Sequence, residues 1–200
     1  MQEPFTFLLF GRSGCGKGTQ AKLLQKFLEK KDGSDSALYV YAGDKMRELV
    51  QKSDSLTAKL TNEIFLAGEK IPDFLAIWAW ADDLVCELKE ETHLIIDGSP
   101  RSALEAKALD DTFEFYKREN IKPVLIDVLP EEIRVRLLNR KREDDTEKQI
   151  AHRLAYYEKY VAPAVEYYRK ESKNKLIVID GNPHDVNLIH KNILVAAGLE

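Results

Sequence analysis

The run LLFGRSGCGKGTQ, residues 8 to 20, sets glycines at positions 11, 14, 16 and 18 around a single lysine, Lys17. Residues of these types at this spacing suit one chemistry, the holding of phosphate. Glycines let backbone N–H groups turn inward on an anion, a helix starting near Lys17 adds its dipole, and the ammonium supplies a point charge for terminal phosphates. Gly11, Gly16 and Lys17 meet the pattern Gly, four residues, Gly-Lys. The hydroxyl residue that should follow arrives one place late, as Thr19 after Gly18. A dinucleotide fingerprint, Gly-x-Gly-x-x-Gly, fails because Thr19 occupies its third glycine position. Four glycines and a lysine exceed what a plain strand-to-helix turn requires.

Such a cradle needs a buried strand before it and an amphipathic helix after it, and the sequence offers both. FTFLLF (5–10) is the strand, and Ala21, Leu24, Phe27 and Leu28 recur at helical spacing behind the loop. Four more apolar runs, ALYVYA (37–42), HLIID (93–97), PVLIDVL (123–129) and KLIVID (175–180), alternate with helical patterns such as Leu84, Val85 and Leu88. Continuous apolar strands separated by helices predict an α/β fold with a five-stranded parallel sheet covered on both faces. KKDGSDS (30–36) is a polar connection to the second strand, and no internal repeat appears.

Composition narrows the partners. Thirty basic and thirty-four acidic residues give a net charge of -4, no footprint for nucleic acid, so phosphate binding must be local. Cys15 and Cys86 stand far apart without a Cys-x-x-Cys or a His at ligand spacing, which predicts neither a disulfide framework nor zinc and fits a reducing cytoplasm. The opening MQEPFTFLLFG has too short an apolar run for a leader or a membrane span. His93, His152, His184 and His190 show no metal spacing.

GKGTQ resembles the loop of the adenylate kinases and their nucleoside monophosphate kinase relatives, which reads Gly-x-Pro-Gly-x-Gly-Lys-Gly-Thr; Ser13 stands where that loop has Pro. Further stretches carry the resemblance in order. AGDKMR (42–47) is similar to Thr-Gly-Asp-x-x-Arg, AGEKIP (67–72) to the segment returning from the monophosphate domain, and LIIDGSPR (94–101) to Asp-Gly-aromatic-Pro-Arg, with Ser99 at the aromatic place. RLLNRKREDD (136–145) with RLAYY (153–157) resembles a lid and its hinges. VAPAVEYY (161–168) and VIDGNP (178–183) extend the likeness to most of the chain.

The resemblance implies a three-layer fold of the P-loop nucleoside triphosphate hydrolase type. Its core would comprise residues 1–41, 73–139 and 146–200, with a helical monophosphate-binding insert at 42–72 and a minimal lid at 140–145, too short for a zinc ribbon. It implies reversible transfer of the ATP γ-phosphoryl group to AMP by a cytoplasmic monomer, with Mg²⁺ and without nucleic acid, membrane or zinc. ATP would lie on Gly14, Cys15, Gly16, Lys17, Gly18 and Thr19, with Arg136, Arg140 and Pro183 near its base and phosphates. The monophosphate would take Ala42, Arg47, Glu69, Ile71, Gly98, Arg101, Glu105, Arg142 and Arg153, of which Glu69 and Ile71 serve mainly by main chain. Lys17, Arg101, Arg140, Arg142 and Arg153 would be catalytic, Asp97 would hold Mg²⁺ through water, and Thr19 is a second candidate for the metal.

Two positions leave the acceptor open. The family's adenylate kinases carry Thr and Gln where this chain has Ala42 and Glu105; an ionised Glu105 accepts but cannot donate to adenine N1. AMP stands first on overall pattern, CMP or UMP second; a carboxylate also suits guanine. A sensor that binds adenine nucleotides without turnover is a distant alternative, opposed by the cations whose value lies in the transition state. Asp44 is expected to cap the helix after the second strand. Trp78 and Trp80, two apart on a helix, and Tyr156, Tyr157, Tyr160, Tyr167 and Tyr168 are expected to serve packing.

Overall fold

The structure, a computed structural model, describes residues 3–140 and 145–200. The chain runs β1 (Phe5–Phe10), α1 (Lys17–Asp32), β2 (Ala37–Val40), α2 (Ala42–Lys52), α3 (Leu56–Ala67), α4 (Asp73–Glu87), β3 (His93–Asp97) and α5 (Ala103–Phe115). It continues with β4 (Asn120–Asp127), α6 (Pro130–Arg140), α7 (Glu147–Tyr156), a π-helical turn (Tyr157–Val161), α8 (Ala162–Lys170), β5 (Ile177–Asp180) and α9 (Val186–Ala197).

The five strands are parallel in the order β2-β3-β1-β4-β5, as their continuous apolar runs require. Side chains alternate between the two faces of each strand. Phe7 and Leu9 of β1 join Leu24 and Leu28 of α1 and Ile193 and Leu194 of α9. Leu8 and Phe10 face the other way, to Trp80 of α4, Leu109 and Phe113 of α5 and Tyr168 of α8. Burying one such Leu or Phe contributes about 1.5 to 3 kcal/mol. This is the expected three-layer architecture. A third cluster, Met46, Leu75 and Ala79, fixes α2 on α4.

Three strands differ in extent from the sequence expectation, among them β5, which begins at Ile177 rather than Lys175. β2 stops at Val40 because the chain turns at Tyr41 into α2, which begins at Ala42. β4 begins at Asn120, ahead of Pro123. β5 joins β4 only from Val124, so the missing N–H of Pro123 falls where the strand has β1 as its single neighbour. The tryptophans divide: Trp80 is core, whereas Trp78 is 40% exposed and lies outside the core.

The amino ends of the strands, away from the glycine loop, are tied by polar side chains. Arg118 is buried and donates to Thr6 Oγ1 (2.9 Å), the Thr92 carbonyl (2.9 Å) and the Phe5 carbonyl (3.0 Å); burial lowers its pKa to about 10. His93 Nδ1 accepts from the Phe5 N–H at 2.9 Å, which leaves Nε2–H to donate to Asp32 Oδ2 at 2.9 Å.

Candidate active site

β1 occupies the middle of the sheet, and the chain moves from it first towards β2 and later towards β5, so a crevice opens at the carboxyl ends of β1 and β3. Register decides what meets there. Leu9 of β1 pairs with Asp97 of β3, which sets the last residue of β3 beside the start of the glycine loop. The loop turns at Gly11, where φ is +142° and a Cβ would lie 2.5 Å from Cys15 Sγ and 2.7 Å from the Ile126 carbonyl, so no other residue fits. Gly16 then starts α1.

The crevice is a cleft of about 1530 Å³. Gly14 to Thr19 line it, as do Asp97, Gly98 and Arg101 from the β3 end, Arg136 and Arg140 from α6, Arg153 from α7, and Glu69 and Ile71. Lys17 Nζ rests on the Gly11 carbonyl (2.7 Å) and the Arg12 carbonyl (3.2 Å). Asp97 Oδ2 lies 3.4 Å from the point where a Cβ on Gly18 would stand, against the first turn of α1. Asp97 and the hydroxyl of Thr19, which lines the same cleft, are hard oxygen donors and fit Mg²⁺. Tyr39 donates to Asp97 Oδ2 at 3.0 Å; burial and then the carboxylate push the Tyr39 phenol well above its usual pKa, so it remains a donor.

Gly98 has φ +76°, and a Cβ there would meet Tyr41 at 3.2 Å and Arg101 Nη2 at 3.3 Å. Arg101 Nε donates to the Gly98 carbonyl at 2.7 Å, which aims the guanidinium along this turn. Burial opposes the Arg101 charge, but hydrogen bonding and charge interaction with Tyr156, with Tyr41 and Glu105 behind, raise its pKa overall. Across the cleft, Asp145 holds Arg140 by two bonds of 2.8 and 2.7 Å and Arg153 by one of 2.8 Å, with its side chain 1% exposed. Two guanidinium groups that line the cleft are thereby held by one carboxylate.

Not every expected residue lines it. Glu105 is 1% exposed and lies behind the wall: Oε1 accepts from the Trp80 indole N–H (3.2 Å) and Oε2 from the Arg101 backbone N–H (2.6 Å). Burial raises its pKa. Its place at the third position of α5, where Ser102 caps the helix, points the carboxylate back along the chain and away from a base. Ala42 packs with Met46 and Leu75. Arg47 is paired with Asp44 and lies 5.3 Å from the ring centroid of Tyr41, which itself lines the cleft. Asp44 therefore spends its carboxylate on Arg47 inside the first turn of α2, and the residue before the helix is Tyr41. Pro183 stands outside the lining, although His184 and Val186 belong to it. Arg136 lines the cleft but donates to the Gly181 (2.8 Å) and Asn182 (3.1 Å) carbonyls and to Glu132 (2.9 Å). Arg142 lies outside the described residues.

Sequence reasoning missed Tyr39, Tyr41, Tyr156 and Asp145. Only the β2–β3 register brings Tyr39 to Asp97, and Tyr156, expected as packing, does pack edge-on against Tyr160 but also lines the cleft. Asp145 carried a signal, an acid five residues beyond Arg140 and eight before Arg153.

A sequence model described as Adenylate kinase matches residues 9–173. Among curated proteins, the adenylate kinase of Petrotoga mobilis is 34% identical, covering 94% of this chain and 96% of its own. Adenylate kinase 1 of a Nostoc species is 31% identical over 93% of this chain and 96% of its own, and the adenylate kinase of Prochlorococcus marinus 32% over 96% of each. The match of the sequence model over most of the chain and the likeness to these relatives along nearly its whole length together establish that the chain belongs to the adenylate kinase family.

Proposed function

We propose that the protein transfers the terminal phosphoryl group of ATP to AMP, reversibly and with Mg²⁺, giving two ADP. One observation carries this reading: Lys17, Arg101, Arg140 and Arg153 surround a single cleft that opens over the glycine loop. In-line phosphoryl transfer asks for position and charge stabilisation rather than covalent help, and four cations lining one cleft suit that demand.

In this reading Gly14 to Thr19 hold the donor phosphates through backbone N–H groups, and Lys17 leaves its two loop carbonyls for the terminal phosphates. Asp97, through water, and Thr19 would hold Mg²⁺, which would offset negative charge on the donor phosphates. Arg101 grips the acceptor phosphate, with Arg47 reaching it from α2. Arg140, Arg153 and Arg142 neutralise the group in flight. No general base is needed, because the attacking phosphate is already ionised. Residues 42–72 form the insert that receives the monophosphate, its base against the Glu69 to Ile71 main chain, and 140–145 form the lid; their closure excludes water. Free nucleotides require neither nucleic acid nor membrane, and we place the activity in a cytoplasmic monomer. In support, no helix among the described residues is long and apolar enough to cross a membrane.

The test is ADP formation from Mg-ATP with AMP, dAMP, CMP, UMP and GMP offered separately. The highest kcat/KM is expected with AMP. Preference for another base overturns the acceptor assignment, and binding of ATP without turnover of any acceptor overturns the reaction.

A further inference from the structure

Arg12 is a residue of the glycine loop whose side chain does not line the cleft. It sits between Gly11 and Gly14, both at positive φ, and is followed by Ser13, so no ring stiffens this stretch. Its two ends work in opposite directions. The Arg12 carbonyl faces into the loop, where it accepts from the Cys15 N–H at 3.1 Å and from Lys17 Nζ at 3.2 Å. The guanidinium leaves the loop and donates to the Val128 carbonyl (3.1 Å), to Asp127 Oδ1 (3.4 Å) and to Glu158 Oε1 (2.6 Å). It also lies 4.6 Å from the ring centroid of Tyr157, with the side chain only 15% exposed.

Tyr157 and Glu158 open the π-helical turn that continues α7. Tyr157 is four residues beyond Arg153, one helical turn away on the same face, and its N–H bonds the Arg153 carbonyl. A path therefore runs from the phosphate loop, where the Cys15 N–H bonds the Arg12 carbonyl whether or not Lys17 does, through Arg12 to the Tyr157 ring, and from the Tyr157 N–H to the Arg153 carbonyl. It joins the loop that carries Lys17 to the helix that carries Arg153, two cations that line the same cleft.

We infer that Arg12 is a positioning residue that sets the distance between Lys17 and Arg153 by tying the phosphate loop to the Tyr157–Glu158 turn. The guanidinium also offsets Asp127 and Glu158, two carboxylates that would otherwise repel the donor's phosphates through the loop. Arg suits the place better than Lys, since a planar fork can stack on Tyr157 while donating to groups on two sides. The inference rests on the proposed reaction, because it takes Lys17 and Arg153 to act on one phosphoryl group.

The experiment compares parent, R12A, R12K and E158Q for kcat, KM for ATP, KM for AMP and thermal midpoint, with kinetics run well below each midpoint. In R12A, kcat is expected to fall roughly 10- to 100-fold through misplacement of the reacting groups, with KM for ATP raised and KM for AMP unchanged. R12K should recover part of kcat through Glu158 but not the stacking on Tyr157. E158Q, which keeps Arg12 and the fold, should move kcat and KM for ATP in the same direction by less, so the inference stays open to test should R12A fail to fold. A lowered midpoint in R12A with parental kcat and KM for ATP overturns the inference, as does an equal rise in both KM values. If the parent itself forms no ADP, the proposed reaction fails and this inference falls with it; parental turnover with an indifferent R12A and E158Q defeats this inference alone.

Discussion

Glu105 Oε2 accepts a 2.6 Å hydrogen bond from the backbone N–H of Arg101, the residue whose guanidinium lines the cleft. The other oxygen accepts from Trp80, so the carboxylate answers two N–H donors at once. An amide has one acceptor oxygen and would turn its NH₂ towards one of them. Glu105→Gln is therefore expected to lower stability by about 1 to 3 kcal/mol in urea unfolding. It should also reduce kcat/KM for AMP, CMP and UMP by the same factor, since it disturbs the turn carrying Arg101 rather than a base contact. A changed ranking of bases at unchanged stability would return Glu105 to the base pocket.

Lys17→Met removes the one side-chain cation of the glycine loop that lines the cleft. Loss of a preorganised donor costs on the order of 3 kcal/mol, so kcat is expected to fall about 10²- to 10³-fold. Far-UV circular dichroism should stay unchanged, because Lys17 bonds only loop groups. Parental kcat in this variant, or in Arg101→Ala, would remove that residue from the chemistry.

Asp145 holds Arg140 and Arg153 together with a fully covered carboxylate. Removing the carboxylate takes a shared partner from two partly exposed guanidinium groups, which costs less than breaking a pair buried on both sides. Asp145→Ala should accordingly lower the thermal midpoint, and kcat should fall as the two guanidinium groups lose their common anchor. An Asp145→Ala enzyme with parental kcat would show that the placement of these arginines is immaterial to the rate.

Stability should decline as the solution is acidified through the histidine range. Burial lowers the pKa of His93, with Asp32 opposing and Arg118 and Lys31 reinforcing the shift, and burial lowers that of His190. A His with a depressed folded-state pKa is held neutral by the fold. Its contribution is present above the unfolded value of about 6.5 and is lost as pH falls through the folded value. Protonation would also set a second donor at His93 Nδ1 against the Phe5 N–H. Thermal midpoints measured from pH 7.5 to 4.5 should fall most steeply just below pH 6.5, and His93→Gln should flatten part of that slope. A slope identical to the parent's would remove His93 as its source.

Local pattern carried much of this protein. β1 and β3 run within the limits read from apolar runs, α1 starts at the lysine of the glycine loop, and the parallel sheet follows from strands with no polar face. Lys17 and Asp97 stand at the start of a helix and the carboxyl end of a strand, where spacing along the chain fixes position, and Arg101 lies in the short connection between β3 and α5. Boundaries were less legible where the chain turned early, at Tyr41, or where a proline was tolerated inside a strand, at Pro123.

By its residue types and spacing alone, the sequence determined the glycine loop with Lys17 and the parallel α/β sheet, whereas the arginines of the cleft are legible only through the family resemblance. Only the tertiary structure decided that Glu105 faces Trp80 and the Arg101 backbone instead of the cleft, that Tyr39 bonds Asp97, that Asp145 clasps Arg140 and Arg153, and that Arg12 reaches Glu158 across 146 residues. The physical reason is range. Periodicity and turn chemistry act over a few residues, whereas the partner of a buried charge is set by strand register and helix packing, which bring together groups that have no fixed spacing along the chain.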